Sequence, residues 1–194
     1  TPCQSSAASD VYKRQSPKYK TEVRFFSNEK GIYFGFLNEQ PIETQTPLKH
    51  PRDKWFVDAD RNLIMIDFDA NSNVGYEFSV TLGDTLRDAI WTNENEKSGS
   101  WDAIWFAKTH QTEFAWYSEF FIPWEVAPMN VIAEKERSIK VSFFRKHHSE
   151  NKFYNFPGLW SEQSPFLSKF SYLKVKTPEN IKSCLLYTSD AADD

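Results

Sequence analysis

Glycine, cysteine and methionine are scarce in this chain of 194 residues, which has 6 Gly, 2 Cys and 2 Met. No G-x-G-x-x-G, P-loop or G-x-S-x-G segment occurs, so the glycine-dependent cradles for phosphates and the strained nucleophile turn are excluded. No apolar stretch approaches the roughly 18 residues of a membrane-crossing helix. No basic run exists either: 23 Lys+Arg stand against 27 Asp+Glu. With a pI near 5.6, no nucleic-acid partner is expected, because that footprint needs clustered Lys and Arg. What the chain does have is aromatic side chains, with 17 Phe, 8 Tyr and 7 Trp. Together with a charged fraction of only 26%, they exclude wholesale disorder.

The two ends read as translated DNA adapter. Residues 5–15, SSAASDVYKRQ, and residues 184–194, CLLYTSDAADD, are related through a shifted reverse complement of a single DNA segment. Selection on a protein does not produce that relation, so residues 1–15 and 184–194 are set aside as artefact. Residues 16–183 are expected to be one domain, a metagenomic fragment of a longer protein. Both cysteines, Cys3 and Cys184, fall in the ends. No disulfide, zinc site or catalytic thiol is therefore expected in the domain.

The interior reads as strands. VGYEFSVTL alternates, with Val74, Tyr76, Phe78, Val80 and Leu82 on one face, the pattern of a half-buried strand. TEVRFF (21–26) and GIYFGFL (31–37) flank Asn28-Glu29-Lys30-Gly31 and predict a hairpin. NLIMIDF (62–68), apolar on both faces, belongs in mid-sheet. LRDAIWT (86–92), AIWFAKT (103–109), TEFAWYSEFFI (112–122), SIKVSFFRK (138–146) and FSYLKV (170–175) bring the expectation to about nine strands. The fold class is an all-β, antiparallel two-sheet sandwich, jelly-roll-like. Helical turns are expected only at 123–128 and 47–55.

Several residues could carry chemistry. Trp55, Trp91, Trp101, Trp105 and Trp160 fall at predicted strand ends or in loops, where they either cap the core or offer stacking planes to sugar rings. On a strand, Trp101, Ala103 and Trp105 share one face and Asp102 the other. Asp102 then closes a turn or contacts ligand. Arg145 is in phase with Ile139, Val141 and Phe143, so it pairs with a carboxylate such as Asp102 or Glu119, or reaches a ligand at the sandwich end. Asp67, Asp69, Asn71 and Asn73 alternate into a hairpin. They are calcium candidates or turn formers bonding their own backbone. The doublet His147-His148 is expected to be solvated. A haem site would need a Met/His pair, but Met65 looks buried and Met129 follows a proline. No pair of carboxylates is set apart by spacing for glycoside hydrolysis.

The order SWDAIW (100–105) after GYEF (75–78) and before EFFIPW (119–124), with TEVRFF and GIYFGF upstream, resembles the family 9 carbohydrate-binding module superfamily. Asp60 and Asp67 flanking LIMI, Asp88, FFR (143–145) and Trp160 add to it. The nearest version stands at the N-terminus of bacterial surface proteins that continue into an outer-membrane β-barrel, and it usually has Asp-Trp where this chain has Asp60-Arg61. The resemblance implies a β-sandwich that binds mono- or oligosaccharide between tryptophans without catalysis. It also implies an extracytoplasmic setting, a role in polysaccharide catabolism and an attached barrel or hydrolase domain. The expected ligand set is Trp55, Trp101, Trp105 and Trp160 with Asp102 and Arg145, and no cofactor beyond calcium. The competing expectation is an assembly domain of a barrel protein that takes no free sugar.

Overall fold

A computed structural model describes residues 18–54, 58–132, 134, 136–158 and 165–176. The first hairpin forms as the sequence predicts. Strand β1 (Thr21–Asn28) pairs antiparallel with β2 (Gly31–Glu39), Asn28 opposite Gly31. Asn28 closes the turn, its Oδ1 accepting from the backbone N–H of Lys30 at 2.8 Å. That is the local bonding for which Asn is favoured in turns.

Two antiparallel sheets face each other. The smaller has the order β1-β2-β8-β7, with β7 (Phe106–Gln111) and β8 (Ala115–Pro123). The larger has seven strands. Its central strand β3 (Arg61–Asp67) lies between β4 (Val74–Thr81) and β9 (Glu136–His147). Beyond β4 come β5 (Leu86–Thr92) and β6 (Glu96–Ser98). The far edge of β9 is shared by β10 (Lys152–Phe156) and β11 (Ser171–Lys176). Between the sheets lies one apolar core, including Phe34, Phe36, Ile64, Ile66, Phe78, Phe120, Ile122, Ile139 and Val141. Phe78 and Trp116 are fully buried, as their alternation predicts.

The structure corrects the sequence reading in four places. Eleven strands form among the described residues, not nine. β6 was missed because it is three polar residues, and β10 because Lys152 and Asn155 interrupt its apolar pattern. Residues 103–105 are not strand; β7 begins at Phe106. Residues 47–54 contain no helix, although the turn expected at 123–128 is present as a 3-10 turn, Trp124–Val126. Finally, β4 is buried on both faces: Glu77, Ser79 and Thr81 are 1%, 3% and 3% exposed. A second cluster of Met65, Trp91, Phe166, Leu167 and Phe170 covers the outer side of the larger sheet. At Gly75 a Cβ would lie 2.6 Å from the Leu167 side chain, so the cover packs onto bare backbone there.

Candidate functional site

Residues 99–105 cross from β6 in the larger sheet to β7 in the smaller one. An extended segment without a ladder still alternates its side chains, and here the tryptophans turn inward. Trp101 is half-buried against Tyr76 and Phe78, with ring centroids 5.0 and 5.8 Å apart. Trp105 is only 2% exposed, stacked on Phe120 at 5.9 Å and edge-on to Phe78 at 5.4 Å. The expectation that Trp105 stacks a sugar is therefore corrected: both faces of its ring belong to the core.

Asp102 points outward, as alternation requires, and meets Arg52. One guanidinium nitrogen, Arg52 Nη2, donates to Asp88 Oδ2 at 2.7 Å, to Asp102 Oδ1 at 2.9 Å and to the Ala103 carbonyl at 3.0 Å. Arg52 Nε lies 3.4 Å from Asp53 Oδ2. Trp105 Nε1 donates to Asp88 Oδ2 at 2.7 Å. Asp88 sits on the inner face of β5 and is 1% exposed; its Oδ1 has no hydrogen-bond partner among the described residues. Burial raises the Asp88 carboxyl above its ordinary range, against the pull of Trp105 and Arg52. Around this buried anion, Arg52 is 37% and Asp102 73% exposed, so the corner presents a donor and an acceptor to solvent beside the Trp101 ring. Sequence reasoning missed Arg52. Nothing in HPRDKW marks it, because its partners lie 36 and 50 residues away. Trp55 and Trp160 lie outside the described residues.

Arg145 is not part of this corner. It is 2% exposed and donates to Thr21 Oγ1 at 2.8 Å, the Glu39 carbonyl at 2.8 Å and Gln40 Oε1 at 3.0 Å. The expected partners Asp102 and Glu119 are corrected. Asp102 bonds Arg52, and Glu119 is exposed on the outer face of β8. Burial lowers the Arg145 pKa to about 10, with Asp60 acting in the opposite direction. Gln40 also accepts from Trp116 Nε1 at 3.0 Å and donates to Asp60 Oδ2 at 3.0 Å. Arg145 thus anchors a buried polar network that ties β9 to both strands of the first hairpin. His147 is fully buried, stacked with Tyr19 at 5.7 Å, which corrects the solvated doublet.

The alternating Asx residues mostly serve their own turn. Asp67 accepts from the backbone N–H of Asp69 at 3.2 Å and of Ser72 at 2.7 Å, and Asn71 from that of Asn73 at 2.9 Å. Asp69 pairs with Arg137 at 2.6 Å.

No protein-family model matches the chain, and no curated protein matches it. Solved structures do. A Bacteroides uniformis protein described as carbohydrate-binding superposes with a TM-score of 0.62 at 11% identity, covering 84% of this chain and 80% of that one. A family 9 carbohydrate-binding module from Caldicellulosiruptor kristjanssonii, solved with glucose, gives 0.54 at 13% identity, covering 87% and 81%. The module from that organism solved with cellotriose gives 0.53 at 12% identity, covering 96% and 94%. At such identities the likeness concerns fold, and the chain has the two-sheet β-sandwich fold of these modules.

Proposed function

We propose that this chain is a non-catalytic carbohydrate-binding domain of a larger extracytoplasmic protein. The observation that carries the reading is its likeness in fold, over 87% of its length, to a module solved with glucose. The corner at residues 99–105 supports it chemically. A sugar offers C–H faces and hydroxyls, so a site needs an aromatic plane beside a few oriented polar groups. Trp101 provides a half-buried ring, Asp102 an exposed acceptor and Arg52 a donor. Trp160 and Trp55 are proposed as the second plane, bracketing a terminal sugar. Calcium is not required by this reading.

The same corner supports the non-catalytic part of this reading. Asp53, Asp88 and Asp102 bring oxygens within 4.8 Å of one another, but Arg52 ties all three together. Glycoside hydrolysis needs two carboxylates facing each other across the bond to be cleaved, with room for the sugar between them.

Tryptophan fluorescence and calorimetric titration with mono- and oligosaccharides test the reading. Affinities of roughly 10 µM to 1 mM are expected, about −4 to −7 kcal/mol, since one or two rings bury little area. Trp101→Ala and Trp160→Ala should each abolish measurable binding of monosaccharides. Absence of binding below about 10 mM across a broad panel would instead support the assembly role next to a barrel.

A further inference from the structure

The outer face of the smaller sheet carries four aromatic rings in one row across its four strands. The register sets Phe26 opposite Tyr33, Tyr33 opposite Phe121 and Phe121 opposite Phe106. Centroids are 4.4, 4.6 and 6.0 Å apart and planes lie within 18° of parallel. At strand spacings of about 4.8 Å, such a row is about 14 Å long. Each inner ring is flanked by its neighbours. The end rings Phe26 and Phe106 stay 58% and 56% exposed.

The next row reads Arg24, Gly35, Glu119 and Lys108. With no side chain at Gly35, a depression of about 390 Å³ opens there, lined by Arg24, Phe26, Tyr33 and Glu119 among others. Arg24 gives its Nε to Glu22 at 2.6 Å and remains 73% exposed. Glu119, on the opposite flank, is exposed.

We propose that this face is a second carbohydrate subsite, which takes an internal stretch of a polysaccharide chain rather than a terminal sugar. The inference rests on the carbohydrate-binding reading above. One pyranose seats over Gly35, with hydroxyls donating to Glu119 and accepting from Arg24, and the neighbouring sugars lie along the outward edges of the aromatic row, since the faces of its inner rings are taken up by their neighbours. A protein partner fits less well. Interface cores are depleted of Lys and Glu, whereas here a single line of rings borders Glu119 and Lys108 directly. A sugar chain needs that adjacency, because every ring of it carries both apolar and hydroxyl surface.

Gly35 gives a clean test, since a Cβ added there meets nothing within 4 Å. Gly35→Gln fills the depression from a position that tolerates it, and an unchanged thermal midpoint verifies the fold. The full chain, this variant, Phe26→Ala/Phe106→Ala and Trp101→Ala are titrated with glucose and cellohexaose. The same proteins are run through native gels containing xylan or hydroxyethylcellulose. The expected result is a loss of at least tenfold in cellohexaose affinity and of gel retardation for Gly35→Gln and the double variant, with glucose binding unchanged. Trp101→Ala should lose glucose. If Gly35→Gln retains full affinity for cellohexaose and both polysaccharides, or if these ligands bind the native chain no tighter than glucose does, the second subsite is overturned while the first stands. If nothing binds the native chain, both fail. A change in oligomeric state in Gly35→Gln with polysaccharide binding intact would identify a protein interface and overturn the proposal.

Discussion

The two sheets are built from the same kind of alternating strand, yet the centre of one is buried on both faces and the other is buried on one. In β4, Tyr76, Phe78 and Val80 fill the main core while Glu77, Ser79 and Thr81 behind them are also buried. In β1, Val23 points inward, and Arg24 and Phe26 stand in solvent. The difference is a cover. The turn Leu167–Lys169 brings Phe166, Leu167 and Phe170 onto the outer side of the larger sheet. Beneath that cover Glu77 is held by Arg87 at 2.6 Å, Lys97 at 2.6 Å and Trp91 Nε1 at 2.9 Å. Alternation decides which residues share a face; a segment distant in sequence decides whether that face sees water. A face that stays open with four aromatics on it is the one available for recognition.

The comparison can be broken in several ways, beginning with the shared core. Phe78→Ala should cost about 3–5 kcal/mol in urea unfolding, since it empties the site where both corner tryptophans pack; a cost below about 1 kcal/mol would mean the sheets do not meet there. Leu167→Ala should cost about 2–4 kcal/mol, against about 1 kcal/mol or less for Tyr33→Ala on the open face. Equal costs would erase the distinction between covered and bare faces.

The charge under the cover gives a pH signature. Burial alone pushes the Glu77 carboxyl up, but the charges of Lys97 and Arg87 and the bonds from Lys97 and Trp91 bring it below its ordinary value. A depressed carboxyl contributes stability that is complete above the unfolded pKa of about 4.3 and is lost as pH falls through the folded value. Urea midpoints of native and Glu77→Gln chains should therefore differ at pH 7 and converge below about pH 4. A constant gap down to pH 3 would show that Glu77 is not held as the anion. The smallest effect is expected at the ends. Deleting residues 1–15 and 184–194 should move the thermal midpoint by no more than about 2 °C. A fall of ten degrees would mean that one of them is structural.

Much of the fold was legible because strand signals are local. The Asn28 turn, the apolar centre of β3 (Leu63–Ile66) and the alternation of β4 and β8 each follow from a few adjacent residues. The candidate site was legible only in part. SWDAIW drew attention to the corner, but reading it as a strand gave Trp101 and Trp105 equal roles. As the segment crosses between sheets, Trp105 is driven into the core and Trp101 stays at the rim. Arg145 was recognised as a charge on a core face, but its partners proved to be neutral oxygens of the first hairpin. Backbone carbonyls, a threonine hydroxyl and a glutamine hold the two terminal nitrogens of this buried guanidinium without announcing themselves as charge pairs.

The sequence by itself determined the β-sandwich class, the inward set of each alternating strand and the absence of cysteine chemistry between residues 16 and 183. Composition and a period of two suffice for these. Only the tertiary structure decided that Arg52 meets Asp88 and Asp102, that Phe26, Tyr33, Phe121 and Phe106 form one row, and that one sheet is covered twice. Those arrangements depend on strand order and register. They join residues tens of positions apart, and hydrophobic pattern along the chain carries no record of which strand lies beside which.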